Sequence, residues 1–431
     1  MIKHICCAIV LITSILMSSL AAAEQLLSVE ITSNQDSAIP IAVVPFGGRS
    51  ADGTDIAEIV QADLARTGEF SPLSRDKMLS RPTSTQALVL RDWRVLKSDF
   101  VLVGKVQPKA DKTQVEFTLV DVATGKVVKT SPSQLTGSNE RALAHYISDL
   151  VYEAITDQAG FFSSEVLYVA QTRSGKVSTY ELQKADADGF APTTLLRSNE
   201  PILSPTWAPD GKHIAYVAFE SSKPIIYFQN LESGEKRKLA SYPGLNGAPS
   251  FSPDGQYLAM TLSKDGNPEI YTVDLQSGQL NRMTNHFAID TEPTWSADGK
   301  HIVFTSDRGG NPQIYKLDVA GKRAQRLTYE GVYNAGGKLT NDGRHLVMVH
   351  QQDGDFHIAV QDMQYGGVRV LSETGLDESP TISPNGKMVM FGTKEGQRGL
   401  LSMVSMDGRT KIRLPSRIGE VREPAWSPLL H

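Results

Sequence analysis

Nine histidines and 48 carboxylates are the chain's only plentiful means of acid–base or metal chemistry, and their spacing favours neither. No H-E-x-x-H occurs. His350 and His357 stand seven apart across a strand turn, a weak metal pattern, and Asp353 and Asp355 in that turn read as solvated loop residues. Asp377-Glu378 is a carboxylate pair, but adjacency in sequence is not the geometry of an acid and a base. There is no G-x-S-x-G nucleophile elbow and no G-x-x-x-x-G-K-[ST] phosphate loop. The only two cysteines are Cys6 and Cys7.

Those cysteines lie in an N-terminal export signal. Lys3 and His4 form its polar start, Ile5 to Met17 its apolar core, and Ala21-Ala22-Ala23 before Glu24 its cleavage site, with cleavage after Ala21 as an alternative. No second apolar run follows, so the mature chain is expected to carry no transmembrane span, no cysteine chemistry and no lipid anchor. A net charge of −5 and a pI near 6.0 argue against nucleic-acid binding. Disorder is excluded by 40% hydrophobic residues.

The elements that position these residues repeat. Pro205-Thr206-Trp207 with Asp210-Gly211 recurs as Pro249-Ser250-Phe251 with Asp254-Gly255 and as Pro293-Thr294-Trp295 with Asp298-Gly299. Degenerate copies follow at Leu339 and Ile382, and a truncated one at Trp426. The central position falls at 207, 251, 295, 339, 382 and 426, a period of 43 or 44 residues. Each complete copy continues with alternating runs and polar turns, enough for the four strands of a propeller blade. The runs at Val166 to Gln171 and Val177 to Leu182 lack a preceding Pro-x-Trp strand. The orphan copy around Trp426 supplies it. The fold predicted is an α/β N-terminal domain followed by an all-β six-bladed β-propeller closed by the C-terminal strand. The segments are 1–23 signal, 24–36 partner-binding strand, 37–162 α/β domain and 163–431 propeller.

Within 37–162, Asp55-Ile56-Ala57-Glu58 reads as a capping box, and Leu143, Tyr146, Ile147, Leu150, Val151, Ala154 and Ile155 form a helical stripe. A helix around Leu88 to Leu96 carries Trp93. Ahead of the domain, Leu27, Val29 and Ile31 alternate before polar Thr32-Ser33. Two readings stand: an edge strand of the α/β domain, or a free strand that adds to a partner's sheet. In the propeller, Asp-Gly turns lie on one face. The loops around Glu200, Asn246-Gly247-Ala248, Asp290-Thr291-Glu292, Asn334-Ala335, Asp377-Glu378 and Arg422-Glu423 ring the other, as an acidic and variable rim suited to recognition.

Pro40-Ile41-Ala42-Val43-Val44-Pro45-Phe46, Asn246-Gly247-Ala248-Pro249, Thr291-Glu292-Pro293-Thr294-Trp295 and the Pro424-Ala425-Trp426-Ser427-Pro428 ending resemble the TolB family of periplasmic Tol–Pal components, over essentially the whole chain. The resemblance implies a non-enzymatic, cofactor-free monomer that supports outer-membrane integrity and envelope constriction during division. Two partners follow from it: the lipoprotein Pal at a propeller mouth, through Asn246, Gly247, Ala248, Thr291 and Glu292, and the TolA C-terminal domain through the N-terminal segment, at Leu27, Val29, Ile31, Thr32 and Ser33. Other outer-membrane proteins are further candidate partners. Relatives often have a histidine where this chain has Leu245. The alternative reading is an envelope propeller enzyme of peptidase-like or lactonase-like type. A glycan-binding propeller fits less well, because the repeated aromatics lie in strands.

Overall fold

The computed structural model describes residues 29–31, 38–132, 135–396, 398–414 and 419–429. Its N-terminal layer is built on β2 (Ile39–Val43), β3 (Gly47–Gly48), β4 (Phe70–Pro72), β5 (Phe100–Lys109), β6 (Lys112–Asp121), β7 (Val127–Thr130) and β8 (Thr136–Gly137). The sheet runs β4-β2-β5-β6-β7, with β3 beside β5 and β8 beside β6. Alternation in β2 sorts its two faces. Ile41 and Val43 face helices α1 (Ile56–Arg66) and α3 (Glu140–Thr156), whereas Ala42 and Val44 face Trp93 of the short helix α2 (Leu90–Val95).

Both long helices start where local chemistry dictates. Asp55 accepts a hydrogen bond from the Glu58 amide at 3.0 Å, and Asn139 accepts one from the Ala142 amide at 3.1 Å. Leu143, Ile147 and Val151 of α3 are buried. The same apolar core continues without a break into the propeller, through Val166, Tyr168, Met388, Met390, Met403 and Trp426.

Six antiparallel sheets follow, five of four strands and one of five. Blade 1 takes its outer three strands from Glu165–Ser174, Val177–Asp186 and Thr193–Ser198. Its innermost strand is Glu420–Trp426, paired antiparallel with the first of these. The ring is therefore closed by the two ends of the propeller sequence, as predicted. Blades 2 to 6 begin at Ile202–Trp207, Asn246–Phe251, Asp290–Trp295, Asn334–Leu339 and Glu378–Ile382. The repeated tryptophans also tie strands together: Trp207 Nε1 donates to the Ala425 carbonyl at 3.0 Å, Trp295 to Ser250 at 3.2 Å, and Trp426 to Ser164 Oγ at 2.7 Å. The Asp-Gly turns are scaffold. Gly211, Gly255, Gly299 and Gly343 all hold φ between 67° and 70°, and the aspartate before each accepts the amide two residues on.

Strand β1 (Val29–Ile31) extends blade 6. It runs antiparallel to Thr410–Arg413, with Val29 opposite Ile412 and Ile31 opposite Thr410. It pairs with blade 6 and not with the α/β sheet, an edge that neither sequence reading named.

Candidate interaction site at the propeller mouth

The innermost strands of all six blades line a central channel of about 960 Å³. At its mouth every one of these strands is interrupted by a bulge. The register slips between Leu203 and Thr206, Gly247 and Ser250, Thr291 and Thr294, Ala335 and Lys338, Glu378 and Thr381, and Arg422 and Ala425. Each bulge holds one residue in the left-handed region: Ser204, Ala248, Glu292, Gly336, Ser379 and Glu423, with φ between 47° and 62°. Five of these are not glycine, and a proline follows each of the five. Such a conformation costs about 1–3 kcal/mol per residue and persists only where its surroundings enforce it.

Part of that enforcement crosses between blades. Glu292 Oε2 accepts the Gly336 amide of the next blade at 2.9 Å and the Thr305 hydroxyl at 2.8 Å. Glu423, at the equivalent place in blade 1, accepts the Ser204 amide of blade 2. Burial pushes the Glu423 carboxyl up to about 7 despite that hydrogen bond. Burial lowers Lys338, on the channel wall, to about 8, with Glu292 pulling the other way.

The loops leading into blades 3 to 6 are long, and each is held by a buried amide or carboxylate. Asn246 is 1% exposed; its Oδ1 accepts the Tyr242 amide at 3.0 Å and its Nδ2 donates to the Tyr242 carbonyl at 2.7 Å. Asn334 anchors the next-but-one loop through the Glu330 carbonyl at 2.8 Å and His350 Nδ1 at 2.8 Å. Asp290 pairs with Arg308 at 2.5 Å, and Asp377 accepts hydrogen bonds from Ser372, Thr374 and Thr393. Blades 1 and 2 carry Val421 and Ile202 at this place.

These anchors let the loops expose apolar side chains. Leu245, Phe287, Ile289, Tyr329, Val332 and Leu376 form a crescent over the rims of blades 3 to 6, Phe287 being 87% exposed. Of the residues the sequence points to, Thr291, Glu292, Gly247 and Ala248 reach the mouth, while the Asn246 side chain is spent inside its own loop. The rim is also less acidic than the sequence suggests, because Asp290 and Asp377 are buried. The bulges and the apolar crescent are what sequence reasoning missed. The spaced residue-before-proline was a signal for the first, but a residue before proline ordinarily favours extended backbone. His350 serves the Asn334 anchor, and its seven-residue spacing from His357 places the two opposite each other across a hairpin.

Of the segment expected to bind TolA, the backbone of Val29 and Ile31 lies in β1; Leu27, Thr32 and Ser33 are outside the described residues.

The model of the TolB amino-terminal domain matches residues 27–128, and that of the TolB beta propeller domain matches residues 152–430. The chain belongs to the TolB family. A Tol-Pal system protein TolB from Alcanivorax borkumensis is 54% identical over 425 residues, 98% of this chain and 97% of that one. One from Pseudomonas putida is 57% identical over 93% of this chain and 94% of its own. The crystal structure of TolB from Acinetobacter baumannii superposes with a TM-score of 0.86 at 43% identity, covering 93% of this chain and all of the other. Membership makes this TolB-family protein a non-enzymatic periplasmic component of the Tol–Pal system that works with other components of it. No helix among the described residues is long and apolar enough to cross a membrane.

Proposed function

We propose that this protein binds Pal at the propeller mouth and the TolA C-terminal domain through residues 24–34, linking the two in outer-membrane integrity and in envelope constriction at division. Export with cleavage near Ala23 is part of this reading. The observation that carries it is the mouth itself. Six bulges shape the backbone around the channel, and anchored loops present Leu245, Phe287, Ile289 and their neighbours to solvent. An exposed apolar patch held by buried anchors is what a protein partner uses. Leu245 offers apolar contact where relatives often offer an imidazole. The main-chain pairing of β1 with the edge of blade 6 supports the second half of the reading, since strand addition draws affinity from backbone bonds and choice from alternate side chains.

The test is Thr291→Arg. Thr291 is half-buried in the rim next to Glu292, its hydroxyl 3.4 Å from that of Thr261, so a long cation there obstructs a docked partner. The expected result is loss of Pal binding by at least tenfold with an unchanged melting temperature. Undiminished binding removes this rim from the interface.

A further inference from the structure

The α/β sheet has a face that the propeller does not use. Helices α1 and α3 pack between one side of the sheet and blades 1 and 6. Among the described residues, the other side is covered by residues 73–97 together with Val122; Leu73, Met78, Leu88, Trp93 and Leu96 lie over Ala42, Val44, Val101 and Val103. The side chains next to these along the chain point outward. Leu79, Val89 and Val95 are 64%, 54% and 69% exposed, and Val127 on the adjacent β6–β7 hairpin is 54% exposed.

Charge on this layer opposes that of the whole chain. Residues 73–97 hold six lysines and arginines against two aspartates, in a protein of net charge −5. Arg75 is paired with Asp55, and Arg94 donates to the Val122 and Ala123 carbonyls, which leaves its charge uncompensated. Lys77, Arg81, Arg91 and Lys97 are exposed. The layer thus mixes exposed cations with isolated aliphatic side chains. Its one large aromatic, Trp93, is fully buried, so it offers no aromatic anchor of the kind that dominates protein–protein hot spots. The channel and the cleft between the domains are lined by other residues.

The geometry points to a membrane-facing surface: the outer side of residues 73–97 rests on an anionic phospholipid bilayer, with Lys77, Arg81, Arg91, Arg94 and Lys97 at the headgroups and Leu79, Val89 and Val95 dipping among them. Cations near an anionic surface each contribute on the order of 1 kcal/mol, and small apolar insertions add to this. The attachment is weak, reversible and salt-sensitive. It leaves the propeller mouth free.

Co-sedimentation of the mature protein with vesicles tests it. Equimolar phosphatidylglycerol and phosphatidylcholine vesicles should carry the protein down at low salt, and phosphatidylcholine vesicles alone should not. Each exposed cation lost should weaken partition about fivefold. The combined Lys77→Glu, Arg81→Glu, Arg91→Glu and Lys97→Glu variant should therefore stay in the supernatant. Leu79→Ser with Val95→Ser should bind several-fold more weakly, and it decides the matter if the charge variant fails to fold. An equal reversal on the propeller at exposed positions, Lys176→Glu, Lys223→Glu, Lys236→Glu and Arg323→Glu, should bind as the parent does. The proposal is overturned if the parent does not pellet with the anionic vesicles, or if the propeller variant loses binding as fully as the face variant.

Discussion

His145 Nδ1 lies 2.8 Å from Asp63 Oδ2, joining α3 to α1 at the buried base of the propeller. Around the pair, Arg66 bonds to Asp63 and stands 3.4 Å from Asp188, and Arg141 reaches Asp186 and Asp188 at 2.8 Å each. Asp186 and Asp188 belong to blade 1, so three cations and three carboxylates hold the two parts of the molecule together. Asp63, His145 and Asp188 bring ligand atoms within 4.8 Å of one another. Arg66, Arg141 and protonated His145 already balance the three carboxylates, which gives a metal cation no reason to enter.

The balance requires a protonated His145. Burial opposes the charge, but Asp63, Asp186 and Asp188 outweigh it and raise the imidazole to about 10. A cation with a raised pKa lends its full stability below about 6.5 and loses it as pH rises through about 10. Unfolding by denaturant should therefore show falling stability from pH 7 to 10.5. His145→Leu should cost about 3 kcal/mol at pH 7, the scale for breaking a buried pair, and should flatten that decline. An unchanged slope in the variant would assign the pH dependence elsewhere.

Gly68 seats blade 6 against α1. Its φ is 69°, and a Cβ there would lie 1.9 Å from Thr410 Oγ1. Thr410 is also the residue opposite Ile31 in the edge pairing that receives β1. Gly68→Ala should destabilise the protein by about 1–3 kcal/mol and speed amide exchange in β1. Adding Thr410→Gly should recover part of the loss by removing the clash, leaving the backbone cost. Equal exchange in parent and single variant would mean that this contact does not set the edge.

Glu292 acts on the bulge of the neighbouring blade as well as on the rim. Glu292→Gln keeps an acceptor for the Gly336 amide, whereas Glu292→Ala does not. The alanine variant should lose about 1 kcal/mol of stability and more Pal affinity than the glutamine variant. Identical Pal affinities for the two would mean that the bulge needs no such support.

The Glu423 carboxyl gives a second pH signature. Its pKa is raised by burial to about 7, so its contribution is most favourable at low pH and is lost as pH rises from about 4.5 through 7. Glu423→Gln should leave stability at pH 5 little changed and raise it at pH 8. Thermal melts at both values check the direction; a variant less stable at pH 8 contradicts it.

What the sequence revealed follows from how local the determinants are. Turns made by Asp210-Gly211 or Asp298-Gly299 are set by neighbouring residues, so the blade period and the ring closure at Trp426 could be read directly. The Asp63–His145 contact spans 82 residues and the Arg141–Asp188 contact 47. Neither leaves a spacing pattern. Asn246 was recognised as part of the mouth, but whether an amide faces a partner or its own loop depends on the fold of Tyr242 to Leu245. The seat of β1 on Thr410–Arg413 was equally hidden, since an edge strand records nothing of which edge it meets.

The bridging role is tested most directly by calorimetric titration of the TolA C-terminal domain into the mature protein and into the chain lacking residues 24–34, each with and without Pal. Binding should disappear with the deletion and change when Pal occupies the mouth. Binding that survives the deletion undiminished, or that ignores Pal, would contradict it.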